Sequence, residues 1–582
     1  MRDPHESDAM TATTLPRWDR ETDVLVFGSG AAGMTAALVA AQEGLQVLLC
    51  EKAAQLGGTT AISGGEIWLP NSRQSRAIGI EDSVERALAY WNAEAGQAAS
   101  AEHRRAYLET GPEAIDYLAR HSEVRFQAVN PHPDYHQSQP GASIGGRPLG
   151  TVAFDGRRLG PDFALLKPAR KDFMVFGGMM VSRDDIAALL KPLASFKAFI
   201  HSAALVARYL RDRLSHPRGT RLVLGNALVA RLLYSLRQKQ VGIEVEASLQ
   251  GLVREGDTVT GAVVRHQGRE LRVRARRGVV LATGGFAGNA ALRQRYMPGL
   301  PIEHALSAEG NVGDALTAAC AIGAAVDADM QTPAYWMPAS LRKVGDGSVS
   351  VFPHIRDRAK PGLIAINAEG RRFVNESASY HDVSLALWAE AARSADAPAW
   401  FVCDRAFIRT YGLGMIKPIW QRLGPYEREG YLIKGRTLEQ LARRIGVEPA
   451  VLAVTVARHN QAADTGTDTA FGKGSNAYNR HYGDAAHAPN PCLAAIAHGP
   501  FFAVRVKPAP IGTTVGLQVD TQANVLDTMG RPIAGLYACG NDMASVTRGA
   551  YPGPGSTIGP GMVFAYRAMR SLTARAQAAR AV

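Results

Sequence analysis

The sequence predicts an α/β fold in which a Rossmann-like dinucleotide-binding domain is interrupted by a second, α+β domain. Residues 22–52 have the pattern of a short apolar strand, a glycine turn, an alanine-rich helix and a second strand, which is a βαβ unit. Residues 276–289 and 535–542 are apolar strand runs that end in small residues and glycine, typical of strands that return to one sheet. A chain of 582 residues can bury a large core and should divide into two or more lobes.

The composition is that of a globular protein from a reducing compartment, with 46% hydrophobic and 20% charged residues. No run reaches the ~18 uncharged apolar residues that a membrane-spanning helix needs, and the first twenty residues resemble a loose tail rather than a signal peptide. The five cysteines lie far apart without C-x-x-C spacing, so we expect no disulfide framework and no metal site: Cys50, Cys320, Cys403, Cys492 and Cys539. We therefore expect a cytoplasmic protein.

The formal net charge of +12 suits an acidic partner, nucleic acid or an anionic membrane surface. An ordinary basic surface explains it more simply, and we expect no nucleic-acid partner.

The glycine turn of the βαβ unit has the spacing that binds a pyrophosphate. Gly28 and Gly30 allow a tight turn and a close approach of the phosphates, and Gly33 lets the helix pack on the strand. Glu51 ends the second strand, where an acid accepts the hydroxyls of an adenosine ribose. A purely structural turn is the alternative, but both strands and the acid are in place, so we predict dinucleotide binding.

A second glycine-rich loop follows Glu51 directly, with Gly57, Gly58, Gly64 and Gly65. An NAD domain has no use for such a loop. A flavin does, because its bulky ring system must lie against backbone that only small residues permit. The sequence therefore predicts FAD, held non-covalently because no histidine attachment motif is evident.

These four stretches, in this order, resemble the superfamily of fumarate reductase and ketosteroid dehydrogenase flavoproteins, from about Asp23 to about Met569. The resemblance implies FAD-domain segments at 21–305 and 508–582 and a catalytic or cap domain at 306–507, with the flavin at the cleft. Residues 1–20 are the loose tail that the composition predicts. The expected cofactor-binding residues are Gly28, Ser29, Gly30, Ala32, Gly33, Glu51, Lys52, Gly57, Gly58, Thr59, Thr60, Ser63, Gly64, Gly65, Ala282, Thr283, Gly284, Gly540, Asn541, Thr557 and Ile558.

The segment "YPGPG" introduces a tyrosine, Tyr551, ahead of a helix opened by Ser556 and Thr557. Its hydroxyl and the Gly555 N–H can converge on one ketone oxygen, and stabilising negative charge there makes the neighbouring C–H acidic. The segment resembles the ketosteroid Δ1-dehydrogenase motif in which a tyrosine and a glycine bind the steroid 3-oxo group. A rigid proline turn with a packed tyrosine is the structural alternative.

Two further tyrosines are implied by the same resemblance. "GRRFVNESASYHD" resembles the element that ends in the catalytic base, here Tyr380, and "HPDYHQ" places Tyr135 where the family has a tyrosine that assists the base. The tyrosine that follows in the family is replaced by His136, which could alter the polarity of this relay. Tyr335 is either a substrate contact or core, and we favour core slightly.

The resemblance implies 1,2-desaturation of a 3-ketosteroid in steroid degradation. Tyr551 and Gly555 would polarise the 3-oxo group, Tyr380 would take the C2 proton, and flavin would accept hydride from C1. The helix beginning near Ser556 is expected to point its N-terminus at the flavin. A quinone or a dye-type compound would accept the electrons.

Three alternatives stay open: a desaturase or reductase of another cyclic ketone, a fumarate-reductase-like enzyme, and a flavoprotein subunit whose partner does the chemistry. Fumarate reductases carry a histidine in a stretch resembling "HTMGG". The corresponding stretch here contains Ile511, Gly512, Thr513 and Thr514 but no histidine.

Residues 189–219 form a possible insertion whose apolar positions recur at helical spacing among basic residues. Such a helix either packs on the protein, which we favour, or lies on an anionic membrane, and in that case the protein would be peripheral on the inner face of the cytoplasmic membrane.

Overall fold

The computed structural model describes residues 18–581, apart from 97–99, 300–303, 346, 394–397 and 419–421. The predicted tail, residues 1–20, therefore lies outside the described residues except for its last three positions. Among the residues described, no helix is both long and apolar enough to cross a membrane.

An eight-stranded mixed sheet forms the dinucleotide-binding part. The strand Arg20–Phe27 pairs in parallel with Val47–Cys50 on one side and with Arg269–Leu281 on the other. Arg269–Leu281 also pairs in parallel with Pro532–Ala538, so both late strand runs return to the first sheet as predicted. The other strands are Gly242–Glu244, Ala247–Glu255, Thr258–His266 and Asn524–Leu526. The predicted α/β class is confirmed.

An alanine-rich helix packs closely on this sheet because its side chains are small. The helix Ala31–Gln42 is buried over most of its length and contacts both Leu224–Gln238 and Ile558–Ala581. The others are Gly58–Ala61, Arg73–Arg76, Val84–Ala95, Ala101–His121, Ala290–Tyr296 and Asp314–Cys320.

A second sheet, six-stranded and antiparallel, is built around the long strand Phe501–Thr513. This strand passes through residues 507 and 508, where the sequence places a domain boundary. The division into residues 306–507 and 508–582 stays a prediction. The remaining strands are Ala334–Lys343, Val349–Pro353, Leu363–Ile366, Ala399–Asp404 and Ile433–Gly435. The helices of this part are Tyr380–Arg393, Arg405–Tyr411, Gly424–Arg428, Leu438–Ile445, Pro449–Thr465 and Ala477–Tyr482.

Smaller elements connect the two sheets and carry several site residues. A three-stranded antiparallel sheet consists of Glu66–Trp68, Pro148–Thr151 and Phe126–Ala128. The segment around residues 189–219 contains two helices, Arg183–Leu190 and Phe196–Asp212, with a short 3-10 turn at Pro192–Ala194 between them. The remaining short strands are Phe154–Asp155, Met174–Val175, Met179–Met180, Arg221–Leu222, Val326–Asp327 and Gly516–Leu517.

Candidate active site

The first glycine turn leaves no room for side chains. Gly28 has a φ of +99°, and a Cβ there would lie 2.1 Å from the carbonyl oxygen of Ala282. A Cβ on Gly33 would lie 1.9 Å from the Gly28 oxygen, so the helix Ala31–Gln42 can start this close to the strand only because position 33 is glycine. The turn therefore has the shape that the sequence predicts for a pyrophosphate site.

The Glu51 carboxylate lies directly beside this turn. Its Oε2 accepts hydrogen bonds from the Ser29 backbone N–H (3.0 Å) and from the Ser29 hydroxyl (2.6 Å), and its Oε1 accepts one from the Ala53 N–H (2.9 Å). The acid thus fixes the turn itself. Its predicted contact with a ribose stays a prediction.

The second glycine loop is tied to the first helix and to the chain near residue 310. The Thr60 hydroxyl oxygen accepts from the Ala31 N–H (3.0 Å), and the Thr59 hydroxyl oxygen accepts from the Asn311 amide (3.0 Å). By contrast, a Cβ on Gly58 or Gly64 would lie more than 4 Å from the other atoms of the described residues. These glycines line open space, as a loop that receives a bulky cofactor should.

Asp542 joins two of the predicted FAD segments, and no pattern in the sequence singles it out. Its carboxylate accepts the N–H groups of Thr283 and of Gly285 (2.9 Å), although these residues lie more than 250 positions earlier. Burial, only partly opposed by these hydrogen bonds, raises the pKa of Asp542 to about 6. Asp542 therefore holds the ends of the parallel strands together at the cleft.

A cleft opens where the helix Ile558–Ala581 begins. Predicted residues Gly540, Asn541 and Thr557 line it together with Tyr335 and Thr513. The Thr513 hydroxyl is buried and has no hydrogen-bond partner among the described residues, and a polar edge of a bound flavin would supply one. The small residues, the helix N-terminus and this unpaired hydroxyl fit an FAD ring system.

Three predicted tyrosines meet beside this cleft although they are far apart in the chain. The ring centroids of Tyr380 and Tyr551 are 5.3 Å apart, those of Tyr135 and Tyr380 5.4 Å, and those of Tyr135 and Tyr551 5.7 Å. All three side chains are buried.

Two loops that carry these tyrosines are hydrogen-bonded to each other through Pro552. Its carbonyl oxygen accepts from the Tyr135 backbone N–H (3.0 Å) and from the Tyr90 hydroxyl (2.7 Å). Gly555, at the end of the same loop, has a φ of +91°, and a Cβ there would lie 2.4 Å from the Cα of Ile67. Close packing on the strand Glu66–Trp68 therefore requires glycine at 555.

Burial is the main influence on the acidity of the three phenols. It holds the pKa values of Tyr380 and Tyr135 well above 10 and also raises the pKa of Tyr551. At Tyr380, the facing hydroxyl of Tyr135 opposes this rise, whereas that of Tyr551 adds to it. Tyr380 therefore needs help from its surroundings to act as a base.

His136 does not point its ring into the tyrosine cluster but bridges two carboxylates. Nε2 lies 2.7 Å from Asp382, and Nδ1 contacts Glu94. Burial disfavours the protonated form of the His136 ring, but the hydrogen bonds to Asp382 and Glu94 favour it and raise the pKa of His136 to about 10. Its neighbour in space, His381, stacks on Tyr551, and burial lowers the pKa of His381 to about 4.

Tyr335 belongs to the wall of the cleft. Its hydroxyl is hydrogen-bonded to Ser545 (2.5 Å) and Thr547 (2.8 Å), and its ring lies 5.0 Å from that of Tyr551. These contacts agree better with a Tyr335 ring that packs against Tyr551 than with a Tyr335 hydroxyl that binds substrate.

Sequence reasoning missed several residues that hold the site together, because each acts on a distant part of the chain. Besides Asp542 and Tyr90, they include the Asp134 carboxylate, which accepts from Trp68 Nε1 (2.7 Å) and is paired with Arg147 (2.7 Å). The aspartate directly before Tyr135 was the only signal available in the sequence for this group.

Comparisons with known proteins agree with this geometry. The sequence matches the FAD binding domain family over residues 23–558. It is 39% identical to 4-oxocyclohex-2-ene-1-carboxylate 5-dehydrogenase of Sinomonas cyclohexanicum, over 96% of this chain and 94% of that protein. It is 34% identical to 3-oxosteroid 1-dehydrogenase of Mycobacterium tuberculosis (strain ATCC 25618 / H37Rv), over 94% and 98%. A solved structure of 3-ketosteroid delta1-dehydrogenase from Sterolibacterium denitrificans, in complex with 1,4-androstadiene-3,17-dione, is 36% identical in sequence. The match has a TM-score of 0.89 and covers 96% of this chain and 100% of that chain.

The fold and these matches define a flavin-dependent dehydrogenase. The chain belongs to the FAD binding domain family, and FAD is its cofactor. Its relatives include both 3-oxosteroid 1-dehydrogenases and dehydrogenases of smaller cyclic ketones.

Proposed function

We propose that the protein introduces a 1,2 double bond into a 3-ketosteroid. The observation that carries this proposal is the meeting of Tyr135, Tyr380 and Tyr551 beside the cleft of the predicted flavin site. Tyr551 and the Gly555 N–H bind the ketone oxygen, and Tyr380 takes the proton from C2. When bound, FAD supplies the acceptor for the hydride that leaves C1.

The order of events follows from the acidity of the groups. A proton next to a ketone is released readily only while fixed donors stabilise charge on the carbonyl oxygen. A buried phenol is a weak base until a neighbouring donor stabilises its deprotonated form. In this proposal Tyr551 stabilises the charge on the carbonyl oxygen, and Tyr135 stabilises the deprotonated form of Tyr380.

The side chains around the tyrosines favour an apolar substrate. Their cluster contains mostly aliphatic and aromatic groups, among them Leu306, Met337, Val351, Ile355 and Ile511. A steroid offers the corresponding apolar surface. We therefore prefer it to the small cyclic ketone carboxylates named for two relatives from Sinomonas cyclohexanicum, which remain the second candidate.

The test is to measure anaerobic reduction of the bound flavin through the loss of its absorbance. Androst-4-ene-3,17-dione should bleach the yellow colour, and 4-oxocyclohexanecarboxylate should bleach it much more slowly at equal concentration. Bleaching by the carboxylate alone would transfer the proposal to a small cyclic ketone. Oxidation of the chemically reduced enzyme by fumarate would indicate a fumarate reductase instead.

We further propose that the enzyme works at the inner face of the cytoplasmic membrane and passes its electrons to a quinone there. Nine of the thirteen exposed large apolar side chains among the described residues lie within residues 176–214. We call these the apolar patch: Phe176, Ile186, Leu190, Leu193, Phe196, Phe199, Ile200, Leu210 and Leu214. Monomeric soluble proteins seldom expose so many apolar groups together.

The structure divides the helix Phe196–Asp212 between two faces. Leu205 and Tyr209 are buried against Met179 and Val181, so packing on the protein accounts for part of the apolar stripe. Phe196 is 78% exposed, and Leu193 and Leu214 are 86% and 87% exposed. Packing on this chain therefore does not account for the outer face.

The charges around the apolar patch suit an anionic lipid surface. The side chains of Lys191, Lys197, Arg211 and Arg213 are exposed, whereas Asp185 and Asp212 are buried. Each basic residue near such a surface contributes about 1 kcal/mol to binding. A sparingly soluble substrate and a quinone would both be available in the bilayer.

Co-sedimentation with vesicles tests this location. The protein should pellet with phosphatidylserine-containing vesicles at low salt and less with phosphatidylcholine alone. Phe196→Ser with Phe199→Ser should weaken binding to both kinds of vesicle, and Lys191→Glu with Lys197→Glu only to anionic ones. Met529→Ser, which removes an exposed apolar group elsewhere, is the matched control. A protein that stays in the supernatant under all conditions would refute the proposal.

A further inference from the structure

Three buried polar atoms beside the tyrosine cluster make no hydrogen bond of standard geometry in the part of the chain that is described, although the Tyr135 hydroxyl faces Tyr380 and the Tyr478 hydroxyl faces the Arg358 guanidinium. They are the Tyr135 hydroxyl, the Tyr478 hydroxyl and Nη2 of Arg358. Unpaired polar groups in a protein interior are costly and uncommon, and three of them together indicate a functional role.

Tyr478 packs against Tyr135, which in turn packs against the proposed base, Tyr380. It belongs to the helix Ala477–Tyr482 and is completely buried. The ring centroids of Tyr478 and Tyr135 are 4.7 Å apart, and those of Tyr135 and Tyr380 are 5.4 Å apart. Tyr478, Tyr135 and Tyr380 therefore form a continuous row of phenols.

Arg358 lies in the 3-10 turn Asp357–Ala359, which packs against the helix that carries Tyr478. It is completely buried. Its Nε donates to the His354 carbonyl (3.1 Å), and its Nη1 donates to the carbonyls of Glu376 (2.5 Å) and Ala378. The guanidinium is thus fixed against the loop that leads directly into Tyr380.

The positive charge of Arg358 is not neutralised by an ion pair within the described residues. The neighbouring Asp357 carboxylate is engaged by His354 Nδ1 (2.7 Å) and by the Gly414 N–H (2.9 Å). Burial raises the pKa of Tyr478, and the charge of Arg358 is the largest influence that opposes this rise. The positive charge of Arg358 therefore acts on the Tyr478 phenol.

We propose that Arg358, acting through Tyr478, supplies the fixed positive charge that stabilises the deprotonated form of the Tyr135–Tyr380 pair. This inference rests on the proposed function, in which Tyr380 is the base. Arg358 and Tyr478 are positioning residues, since neither is placed in contact with the substrate.

His136 does not meet the same need. It lies beside Tyr135 in the chain, but the carboxylates of Glu94 and Asp382 both contact its ring, so this group of three carries no net positive charge. Within the described residues, the charged and titratable groups with the largest influence on the row of phenols are Arg358, Tyr482, Tyr551 and Asp382. His381 stacks on Tyr551, but burial lowers its pKa to about 4, so its ring is neutral near pH 7. Of these, only Arg358 is a cation.

The experiment measures the rate of anaerobic flavin reduction against pH in the FAD-loaded full-length enzyme. We expect Tyr478→Phe to move the profile about one unit toward higher pH, which is about a tenfold lower rate near pH 7. Arg358→Met should move it at least as far, and Arg358→Lys, which keeps the charge, should restore part of the shift.

Arg231→Met is the matched control for loss of a buried arginine. Arg231 also donates to three backbone carbonyls, those of Glu123, Val152 and Ala153, so its loss should lower stability without moving the profile. If Arg358→Met fails to fold, Tyr478→Phe and Arg358→Lys still decide the question.

Two results would overturn the inference. One is a Tyr478→Phe profile that superimposes on that of the wild type while Tyr380→Phe is inactive. The other is an Arg358→Lys effect confined to KM for a carboxylate substrate, which would make Arg358 a substrate-binding residue. An active Tyr380→Phe enzyme would instead refute the proposed function.

Discussion

Nε2 of His136 lies 2.7 Å from the Asp382 carboxylate, so the residue after Tyr135 is tied to the second residue after Tyr380. The backbone that carries one tyrosine is thereby linked to the helix that carries the other. This explains how the chain tolerates a histidine at the position where the motif that this segment resembles has a second tyrosine.

The His136 bridge should make stability depend on pH. The pKa of His136 is raised from 6.5 to about 10 in the folded protein, so its contribution is complete below pH ~6.5 and is lost as the pH rises through about 10. We expect His136→Gln to lower the free energy of unfolding by roughly 1.5–3 kcal/mol at pH 6 and by much less near pH 10.

Urea unfolding at the two pH values measures this difference. The exposed His121, at the end of the helix Ala101–His121, gives the control variant His121→Gln. A His136→Gln deficit that is equal at both pH values would show that the bridge is not the source of the lost stability.

The tyrosine roles predict different defects for two substitutions. Tyr380→Phe should reduce flavin reduction by at least ~10²-fold and leave steroid affinity almost unchanged, because the base acts only during proton transfer. Tyr551→Phe should damage both, because its hydroxyl contacts the carbonyl in the ground state, and loss of such a donor costs ~10²–10³ in rate. Stopped-flow reduction and equilibrium steroid binding separate the two effects. Near-normal turnover by Tyr380→Phe would contradict the assignment of the base.

The cofactor should be released by acid, because no covalent attachment motif is evident in the sequence. Precipitation with trichloroacetic acid should leave the yellow colour in the supernatant, and colour in the pellet would exclude non-covalent binding. Glu51→Gln should weaken FAD binding, since a hydrogen bond to a charged group contributes roughly 1.5–3 kcal/mol. Fluorescence titration of the apoprotein with FAD, with Glu51→Asp as the charge-retaining control, would reject this role if affinity were unchanged.

The sequence was sufficient for those parts of the protein in which neighbouring residues act together. The glycine turn at Gly28 and the two late strands are local patterns, and the structure contains them where they were expected. Tyr135, Tyr380 and Tyr551 could be selected only through resemblance to known motifs, since spacing alone does not bring residues so far apart together.

The sequence was insufficient where remote segments meet. Tyr90 reaches Pro552 across 462 positions, and Asp542 reaches Thr283 across 259. Arg358 is an ordinary arginine in the sequence, and only packing reveals that its guanidinium forms no ion pair among the described residues. The helix Phe196–Asp212 shows the same limit, because periodicity finds an apolar stripe but does not say that Leu205 faces the protein while Phe196 faces solvent.

The role of Tyr135 gives the last prediction. Its hydroxyl opposes the rise in the pKa of Tyr380 that burial causes, so its removal should raise that pKa further and move the pH optimum of flavin reduction upward. Near pH 7, Tyr135→Phe should lose less rate than Tyr380→Phe. The hydrogen bond from the Tyr135 backbone N–H to the Pro552 carbonyl remains in this variant, so the loop keeps its place. Tyr335→Phe is the matched control, since its hydroxyl is hydrogen-bonded to Ser545 and Thr547, and its profile should keep the wild-type optimum. If the Tyr135→Phe optimum also stayed at the wild-type value, Tyr135 would have no part in activating the base.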